Sequence, residues 1–558
     1  MTTIGAWVLP VVLVLISILT QFLAARSRQS PVFSDDEIGY LANSIVMSGF
    51  GSIPHLSGQS YYPGWSVVLV PLWWVLQDPS RVYRAALIMS ALAALASLPF
   101  YALIARRFGT AWPTAVSAAA IITLLPAITQ MSGFALAENF LGLMVAVCGW
   151  AAVRAFQRPT PVAFVILGAA SAYAFFSHGR LVGLVGASIL WGVFLLVKKQ
   201  WANAISLLAS SIILSGVLFL VYRSVTRSLY PMVGKREVKG ILSIFHQNPA
   251  GFLVATSGQV WYHLAASLGL VVIGVVFLVL KGRLEWKTRT FGAATWILIA
   301  ALALEVVTAV YVGPAVTSSP FRLDTYTYGR YFQPMASLLS LFGILAALGG
   351  VRGKIRRTAL LATMLAMAAY VVVGLRVLPD IIENKGGIWL AINVAGLTQF
   401  DWPNVTAAHS TPLVAATLAA AIGCFFLMRP RSAATVLVVL GGYFAVASNV
   451  AQVRTMRPVF GGFNNAFVLQ NYVAQYPHDS VSFDTGGDEF GVSRNIYAYL
   501  LEPRPVKIID TSKTKQLPTT DLVITRRDWP AGKAAGAELI ASDSFQNNGL
   551  WLMPKAQK

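Results

Sequence analysis

Long apolar stretches alternate with short polar segments along most of this chain. A run of about 20 apolar residues is long enough to cross the hydrocarbon core of a bilayer as an α-helix. The sequence has about thirteen such runs, and each predicts a membrane-spanning helix. They cover residues 4–24, 84–104, 111–130, 138–156, 161–177, 181–197, 201–222, 262–280, 290–313, 331–349, 359–378, 411–428 and 433–453. No basic residue precedes the first run and no cleavage site follows it, so we expect a retained span rather than a signal peptide.

The composition supports this interpretation. Of 558 residues, 56% are hydrophobic and 11% are charged, and the mean hydropathy is +0.66. Soluble proteins average about 25% charged residues, which excludes a large soluble protein with several charged surfaces. The two cysteines, Cys148 and Cys424, fall inside predicted spans and have no metal-ligand spacing. We expect both to be buried, unreactive thiols.

The charges predict the orientation of these spans. The formal net charge of +20 would suit nucleic-acid binding if the charge were concentrated in one patch. With the N-terminus inside the cell, however, the cytoplasmic loops hold many basic residues and one acid, Glu285. The basic residues are Arg106, Arg107, Arg154, Arg158, Lys198, Lys199, Lys281, Arg283, Lys287, Arg289, Arg352, Lys354, Arg356, Arg357, Arg429 and Arg431.

This distribution follows the positive-inside rule. Arg26 and Arg28, just outside the first span, argue weakly the other way. The sum predicts a cytoplasmic N-terminus, an extracytoplasmic C-terminus and no nucleic-acid partner. The Ala- and Val-rich composition indicates a bacterium, so we expect the membrane to be the bacterial plasma membrane.

The segments on the predicted outer face are longer, and the last one changes character. They cover residues 25–83, 223–261, 314–330, 379–410 and 454–558. The tail alternates helix-like stretches (463–476 and 490–501) with strand-like ones that begin at Ser480, Val506, Leu522 and Gly549. We therefore predict an all-α polytopic membrane domain over 1–453 and a small soluble α/β domain over 454–558.

The first outer segment carries an unusual cluster of acids. Asp35, Asp36 and Glu37 open a stretch whose apolar positions 38, 41, 42, 45 and 46 form one face of a helix. Ser34 and Glu37 also match a capping box, so helix capping alone would account for these residues. Further on, Tyr61-Tyr62-Pro63-Gly64-Trp65 opens an apolar stretch interrupted by Pro71, which favours a helix at the membrane interface.

The order of these features resembles the glycosyltransferase C (GT-C) superfamily, in particular the aminoarabinose transferase and protein O-mannosyltransferase type. Asp36 and Tyr40 match the ends of the family's Asp-Glu-x-x-Tyr motif, and Glu138 falls where the family has a second acid. Tyr328-Gly329-Arg330-Tyr331 resembles a Gly-Arg-Tyr motif before a later span. The family's Lys-Pro-Pro is replaced by Tyr62-Pro63-Gly64.

The resemblance implies transfer of a monosaccharide from a polyprenyl-phosphate donor to an envelope glycan, lipid or protein on the extracytoplasmic face. Asp36 would be the general base of an inverting reaction. Asp35, Glu37 and Glu138 would orient the acceptor, and Asp36 with Glu138 could hold a divalent cation such as Mg²⁺ or Mn²⁺. Arg84, Arg180 and Arg330 would bind the donor phosphate, because guanidinium groups match phosphate geometry. Tyr40, Tyr62, His178 and Tyr328 are candidate substrate-binding residues.

Two other function classes remain open at this point. A transporter or lipid flippase would place charges and broken helices near the bilayer midplane and would show internal repeats, whereas the acids here cluster at one interface. Glu305 is separate from that cluster: it lies inside a predicted span, where a carboxylate is either functional or neutral and hydrogen-bonded within the bundle. A scaffold for envelope assembly would use the C-terminal domain as its binding module.

Overall fold

Long apolar helices make up most of the described residues before position 451. A computed structural model describes residues 5–229, 249–318, 322–349, 357–368, 390–401 and 411–554, apart from 52, 54, 55, 57–59, 366, 430, 489–491, 515 and 544–546. In chain order the helices are α1 (Val8–Ala25), α2 (Asp36–Ser48), α3 (Gly64–Leu76), α4 (Pro79–Arg107), α5 (Trp112–Thr123), α6 (Pro126–Thr129), α7 (Glu138–Gln157), α8 (Pro161–Ser177), α9 (Val182–Val197), α10 (Trp201–Leu229), α11 (Pro249–Ala266), α12 (Leu270–Lys287), α13 (Ala293–Ser318), α14 (Gln333–Leu348), α15 (Thr411–Leu427) and α16 (Ala433–Val450).

The helical membrane architecture is confirmed, although the number of spans is not. Within the described residues, seven helices are long and apolar enough to cross a bilayer, or nine if each of two bent pairs forms one span. Helices α8, α14 and α15 match predicted spans but have only 17, 16 and 17 residues. At a rise of 1.5 Å per residue they reach roughly 24–26 Å, less than the ~30 Å hydrocarbon core. Most of the predicted span 359–378 lies outside the described residues.

Two predicted spans are broken, so the expectation of continuous helices over 111–130 and 262–280 is wrong. The first bends by 61° at Pro126, which has no backbone N–H and begins a new helix. The second bends by 106° between α11 and α12, where Leu268 and Gly269 adopt positive φ angles of 52° and 84°. The Ser267 hydroxyl donates to the His263 carbonyl at 2.6 Å and accepts from the Val271 N–H at 3.2 Å, so it closes one helix and opens the next.

Charged residues that the sequence assigned to opposite faces lie at opposite ends of the bundle. Glu138 begins α7 and contacts Arg330, whereas Gln157 ends α7 and accepts a hydrogen bond from Arg107 Nη1 at 3.2 Å. The predicted outer acids and the predicted cytoplasmic arginines are therefore separated by the length of a helix. Which end faces the outside remains a prediction.

A five-stranded sheet follows the membrane helices. Its strands are β1 (Val481–Asp484), β2 (Val506–Ile509), β3 (Leu522–Arg526), β4 (Glu538–Ser542) and β5 (Asn548–Leu552), in the order β2-β1-β3-β5-β4. Strand β1 is parallel to β2 and β3, and β5 is antiparallel to β3 and β4. The predicted α/β character is confirmed. Strand β4 was not predicted, because this edge strand has no buried side chain and therefore no apolar alternation.

Helix α17 (Val492–Leu500) joins this sheet to the first outer segment. The Tyr499 hydroxyl donates to the Pro79 carbonyl at 2.7 Å, and the Tyr499 ring lies edge-on to Trp73. One turn earlier, the Asn495 amide donates to Asp35 Oδ1 at 3.2 Å. The C-terminal domain therefore packs at the same end of the bundle as the acidic cluster.

Glu37 fixes the start of α2. Its Oε2 accepts hydrogen bonds from the backbone N–H groups of Val32 and Phe33 at 2.8 and 3.0 Å. Its Oε1 accepts from the Ala135 N–H at 2.8 Å and from the Tyr83 hydroxyl at 3.1 Å. The side chain is fully buried, so water cannot replace these bonds. This one carboxylate therefore serves donors from three parts of the chain.

We predict that Glu37→Gln destabilises the protein although the two side chains have the same shape. Both carboxylate oxygens accept from N–H groups, so the glutamine NH₂ would face a donor in either orientation. Leaving a buried donor unpaired costs about 1–3 kcal/mol, so the midpoint of thermal unfolding in detergent should fall. Asp35→Asn, at an exposed residue of the same helix start, is the control and should leave the midpoint nearly unchanged; equal midpoints for the two variants would contradict this role.

The predicted orientation can be tested by cysteine labelling. In a background without Cys148 and Cys424, Asp528→Cys in the C-terminal domain should react with a membrane-impermeant maleimide in intact cells. Gln157→Cys, at the opposite end of α7, should react only after permeabilisation. The reverse pattern would show that the orientation is inverted.

Candidate active site

Four charged side chains from four separate segments meet at one end of the helical bundle. Arg330 lies between two acids: its Nη1 donates to Asp36 Oδ2 and its Nε donates to Glu138 Oε1, each at 2.6 Å. Arg180 Nη2 lies 3.5 Å from the same Glu138 oxygen. These are Asp36, Glu138, Arg180 and Arg330 of the predicted site, brought together from segments up to 294 positions apart.

Arg330 is held in place by its backbone. The N–H groups of Gly329 and Arg330 both donate to the Asn393 carbonyl, at 3.0 and 3.2 Å. The Asn393 side chain in turn donates to buried Asp324, which is paired with Arg322. A Cβ on Gly329 would lie 1.8 Å from the Tyr262 ring, so this turn needs a glycine. The guanidinium is therefore presented to the acids from a rigid turn.

Asp36 is the first residue of α2 and is partly accessible. Its Oδ1 accepts a hydrogen bond from the Tyr61 hydroxyl at 2.5 Å, and 31% of its side chain is exposed. Burial by itself raises the pKa of Asp36, but attraction to Arg330 and the hydrogen bonds from Tyr61 and Arg330 outweigh it, so its pKa lies below the ordinary value. Asp36 is therefore an ionised carboxylate with lone pairs still available.

Tyr61 reaches Asp36 because residue 39 has no side chain. A Cβ on Gly39 would lie 2.1 Å from the Tyr61 ring. Tyr40, buried beside it, contacts the same ring edge-on with centroids 5.1 Å apart. Gly39 and Tyr40, the last two residues of the Asp-Glu-x-x-Tyr match, thus position Tyr61 rather than contact Arg330.

Arg180 is a buried cation whose hydrogen-bonding capacity is unused. It is 5% exposed, and none of its three side-chain nitrogens donates a hydrogen bond to any residue in the described part of the chain. Its guanidinium carbon lies 4.7 Å above the Tyr331 ring. Glu138 Oε2 is likewise buried without a hydrogen-bond partner there. Because buried guanidinium groups are normally paired, Arg180 is suited to an anionic ligand.

Aromatic side chains line the Arg180 side of the cluster. His178 Nδ1 accepts from the Arg180 backbone N–H at 3.3 Å. Burial, with repulsion from Arg180 and Arg330, holds the pKa of His178 well below its ordinary value, so the imidazole is neutral. Tyr62 stacks on Tyr222 with centroids 4.3 Å apart and lies parallel to His178 at 6.3 Å.

Tyr328, the remaining predicted substrate-binding tyrosine, is 7% exposed and packs on Tyr331 at 4.6 Å. It supports the ring under Arg180 and has little surface of its own for a ligand. Its position is therefore that of a packing residue behind the charged cluster.

Three predicted site residues lie outside this cluster. Asp35 is exposed and bonds to Asn495 of the C-terminal domain. Glu37 points away from Asp36 into its own set of donors, because successive residues on a helix are about 100° apart. Burial raises the pKa of Glu37, opposed by its backbone N–H donors and Arg28. Arg84 is exposed, and among the described residues its Nε donates only to the Ser80 carbonyl of its own helix, at 3.4 Å.

The pair considered for a divalent cation is bridged by a guanidinium. Arg330 contacts both Asp36 and Glu138, so a cation between these acids would have to displace it. No group of three or more His, Cys, Asp or Glu suited to a metal ion occurs within the described residues. These residues do not fit a metal site in this arrangement.

Sequence reasoning missed several residues that position the site. Tyr61 is one of the interfacial aromatics that a membrane protein has for other reasons, and Tyr331 was given no role of its own within the Gly-Arg-Tyr match. Asp324 and Asn393 act through the backbone of Arg330, and nothing in their local sequence signals that contact. Gly39 and Gly329, which flank motif residues, are the signals that could have been used.

Comparison with known proteins identifies the fold. No family model and no curated protein sequence matches the chain. Among solved structures, it is similar over 98% of both chains to ArnT from Cupriavidus metallidurans bound to undecaprenyl phosphate, with a TM-score of 0.54 and 17% identity. For the apo state of the same enzyme the coverage is 97% of both chains, the TM-score 0.51 and the identity 16%. The resemblance predicted from the sequence is therefore confirmed at the level of architecture: this is a multi-pass membrane protein with the GT-C fold.

Proposed function

We propose that this protein is an integral membrane glycosyltransferase. It transfers a monosaccharide from a polyprenyl-phosphate donor to an envelope acceptor on the extracytoplasmic face, with Asp36 as general base. The observation that carries the proposal is the cluster of Asp36, Arg330, Glu138 and Arg180 at the polar end of the bundle. The GT-C fold supports it, and the ArnT structure it resembles was solved with undecaprenyl phosphate bound.

The acceptor hydroxyl is the weak partner in this reaction and needs a base. Its oxygen forms a bond to the anomeric carbon as the bond from that carbon to the phosphate oxygen breaks, and its proton passes to a carboxylate. Asp36 is suited to this role because it is ionised and 31% exposed. Attack from the side opposite the phosphate would invert the anomeric centre.

The leaving group is the polyprenyl phosphate, which gains negative charge as the bond breaks. Arg180 has unused donors in a buried setting, where attraction to an anion is stronger than in water. A phosphate there would also compete with Asp36 and Glu138 for Arg330, which would loosen the Asp36 pair when the donor is bound. Glu138 holds the two guanidinium groups next to each other.

A transporter or flippase is the alternative class. Glu305 in α13 favours it, since its Oε1 is buried and has no hydrogen-bond partner in the described part of the chain. The paired charges, in contrast, lie at helix ends rather than near the middle of the spans. Release of free undecaprenyl phosphate from a donor lipid separates the two, because transport leaves the sugar–phosphate bond intact.

The first test is Asp36→Asn. We expect purified protein to release undecaprenyl phosphate from one of the arabinose, mannose or galactose derivatives of that lipid when membrane extract supplies the acceptor. The amide cannot take the proton, so turnover should fall by about 10²–10⁴-fold, while binding of undecaprenyl phosphate stays near normal. Asp35→Asn removes the neighbouring carboxyl group and should change turnover less than about threefold; normal turnover by Asp36→Asn would refute the assignment.

The pH dependence gives a second test. Because the pKa of Asp36 is lowered, kcat/KM should show no acidic limb from this group between pH 5 and 7. In Arg330→Gln the burial remains and the attraction is lost, so the pKa should rise and the residual activity should increase with pH across that range. Tyr61→Phe should give a smaller shift in the same direction. An identical profile for Arg330→Gln and the wild type would contradict the pairing.

A further inference from the structure

A polar cavity lies apart from the four-residue cluster. It has a volume of about 380 Å³ and opens between the end of α1 and the short helix Arg457–Gly461. Arg26, Arg28 and Arg457 line it, together with Asn464 and the apolar side chains of Leu23 and Met456. None of the four clustered active-site residues borders it. The volume is within the range of small-ligand sites.

The charge in this cavity is not balanced by the residues around it. Arg26 and Arg457 are exposed, and neither forms an ion pair with a carboxylate in the described part of the chain. Arg28 is attracted by the Tyr83 hydroxyl and by the buried Glu37 carboxylate. Three guanidinium groups against one buried carboxylate leave a positive site that would favour an anion.

Arg28 has a fixed position and unused donors. Its Nε donates to the Gly133 carbonyl at 2.8 Å, and its guanidinium carbon lies 4.1 Å from the Phe134 ring centre and 4.6 Å from that of Phe460. Its two terminal nitrogens donate no hydrogen bond to any described residue. Burial lowers the pKa of Arg28 to about 10, which still leaves it charged at neutral pH.

Hydrogen bonds join the two segments that form the wall of the cavity, residues 27–30 and 463–464. The Gln29 N–H donates to Asn464 Oδ1 at 3.0 Å, and Asn464 Nδ2 donates back to the Ser27 carbonyl at 3.2 Å. The Ser30 hydroxyl donates to the Phe463 carbonyl at 2.7 Å. The three arginines therefore lie on two segments that are bonded to each other, and the cavity is part of the folded structure.

The cavity lies where a span meets the membrane surface. Helix α1 ends at Ala25, directly before Arg26, and its outer apolar residues include Leu23, which is 40% exposed. On the other side, Val453 and Val459 expose 56% and 44% of their surface next to the same segment. A ligand in the cavity would therefore have cations around one end and lipid-facing apolar side chains beside it.

We propose that this cavity binds the phosphate headgroup of an anionic membrane phospholipid, with the acyl chains lying along the exposed apolar side chains of α1 and the Val453–Val459 segment. The three guanidinium groups supply the hydrogen bonds that phosphate oxygens accept. The apolar rim favours a lipid over free phosphate. This site does not depend on the reaction proposed above.

Native mass spectrometry of the detergent-solubilised chain, titrated with phosphatidylglycerol, tests the proposal. Wild-type protein should bind phosphatidylglycerol more tightly than phosphatidylcholine and should unfold at a higher temperature in its presence. Arg26→Gln with Arg457→Gln should weaken binding by about 25-fold, since each cation near an anionic lipid contributes about fivefold.

The matched control is Arg81→Gln with Arg223→Gln, which removes two exposed charges from the same end of the bundle. It should bind phosphatidylglycerol like the wild type. Equal affinity for the two lipids, or unchanged binding after loss of Arg26 and Arg457, would overturn the proposal. Full competition by inorganic phosphate at the lipid's own concentration would overturn the lipid part of it.

Discussion

The bridge made by Arg330 between Asp36 and Glu138 is the interaction on which this end of the molecule depends. Two carboxylates placed this close would repel each other, and burying either one alone would be costly. The Arg330 guanidinium offsets both the repulsion and the cost of burial, because it presents a separate N–H donor to each acid. It also joins α2, α7 and the turn before α14, so the geometry of the charged cluster and the packing of three segments are set together.

Residues around this bridge hold its members within reach of one another. Charges in a weakly polar setting are stabilised only while their partners remain within hydrogen-bond reach. Asn393 and Asp324 fix the backbone of Arg330, and Tyr61 occupies the second oxygen of Asp36. Arg180 is the exception in this group, since it is buried with its donors unused. One cation that is bonded to two acids thus lies beside another whose donors are unused, which is the arrangement expected where an anion enters and leaves.

The broad architecture and the charged residues of the cluster could be predicted from the sequence. The residues that position them could not. Apolar runs locate the helices because a helix needs about 20 apolar residues to cross the bilayer. The order of Asp36, Glu138 and Arg330 along the chain predicted that these residues belong to one site. The sequence was insufficient where the outcome depends on tertiary contact. The bend at Gly269 arises from backbone torsions that hydropathy does not register. Glu37 carries the same charge as Asp36 and precedes the same apolar face, so local sequence gave no way to tell a structural acid from one in the cluster.

The adjacent acids at the start of α2 carry a further consequence. Asp36 reaches Arg330 and Tyr61 with a short side chain, whereas Glu37 needs its longer one to reach donors from Val32, Phe33, Ala135 and Tyr83. Exchanging their identities would keep the composition and the net charge of this segment. It would nevertheless lengthen the side chain at position 36 and shorten the one at position 37, each by one methylene group. Neither carboxylate would then meet its partners. The two positions therefore select acids by side-chain length as well as by charge. A substitution that keeps the charge but changes the length is not conservative here.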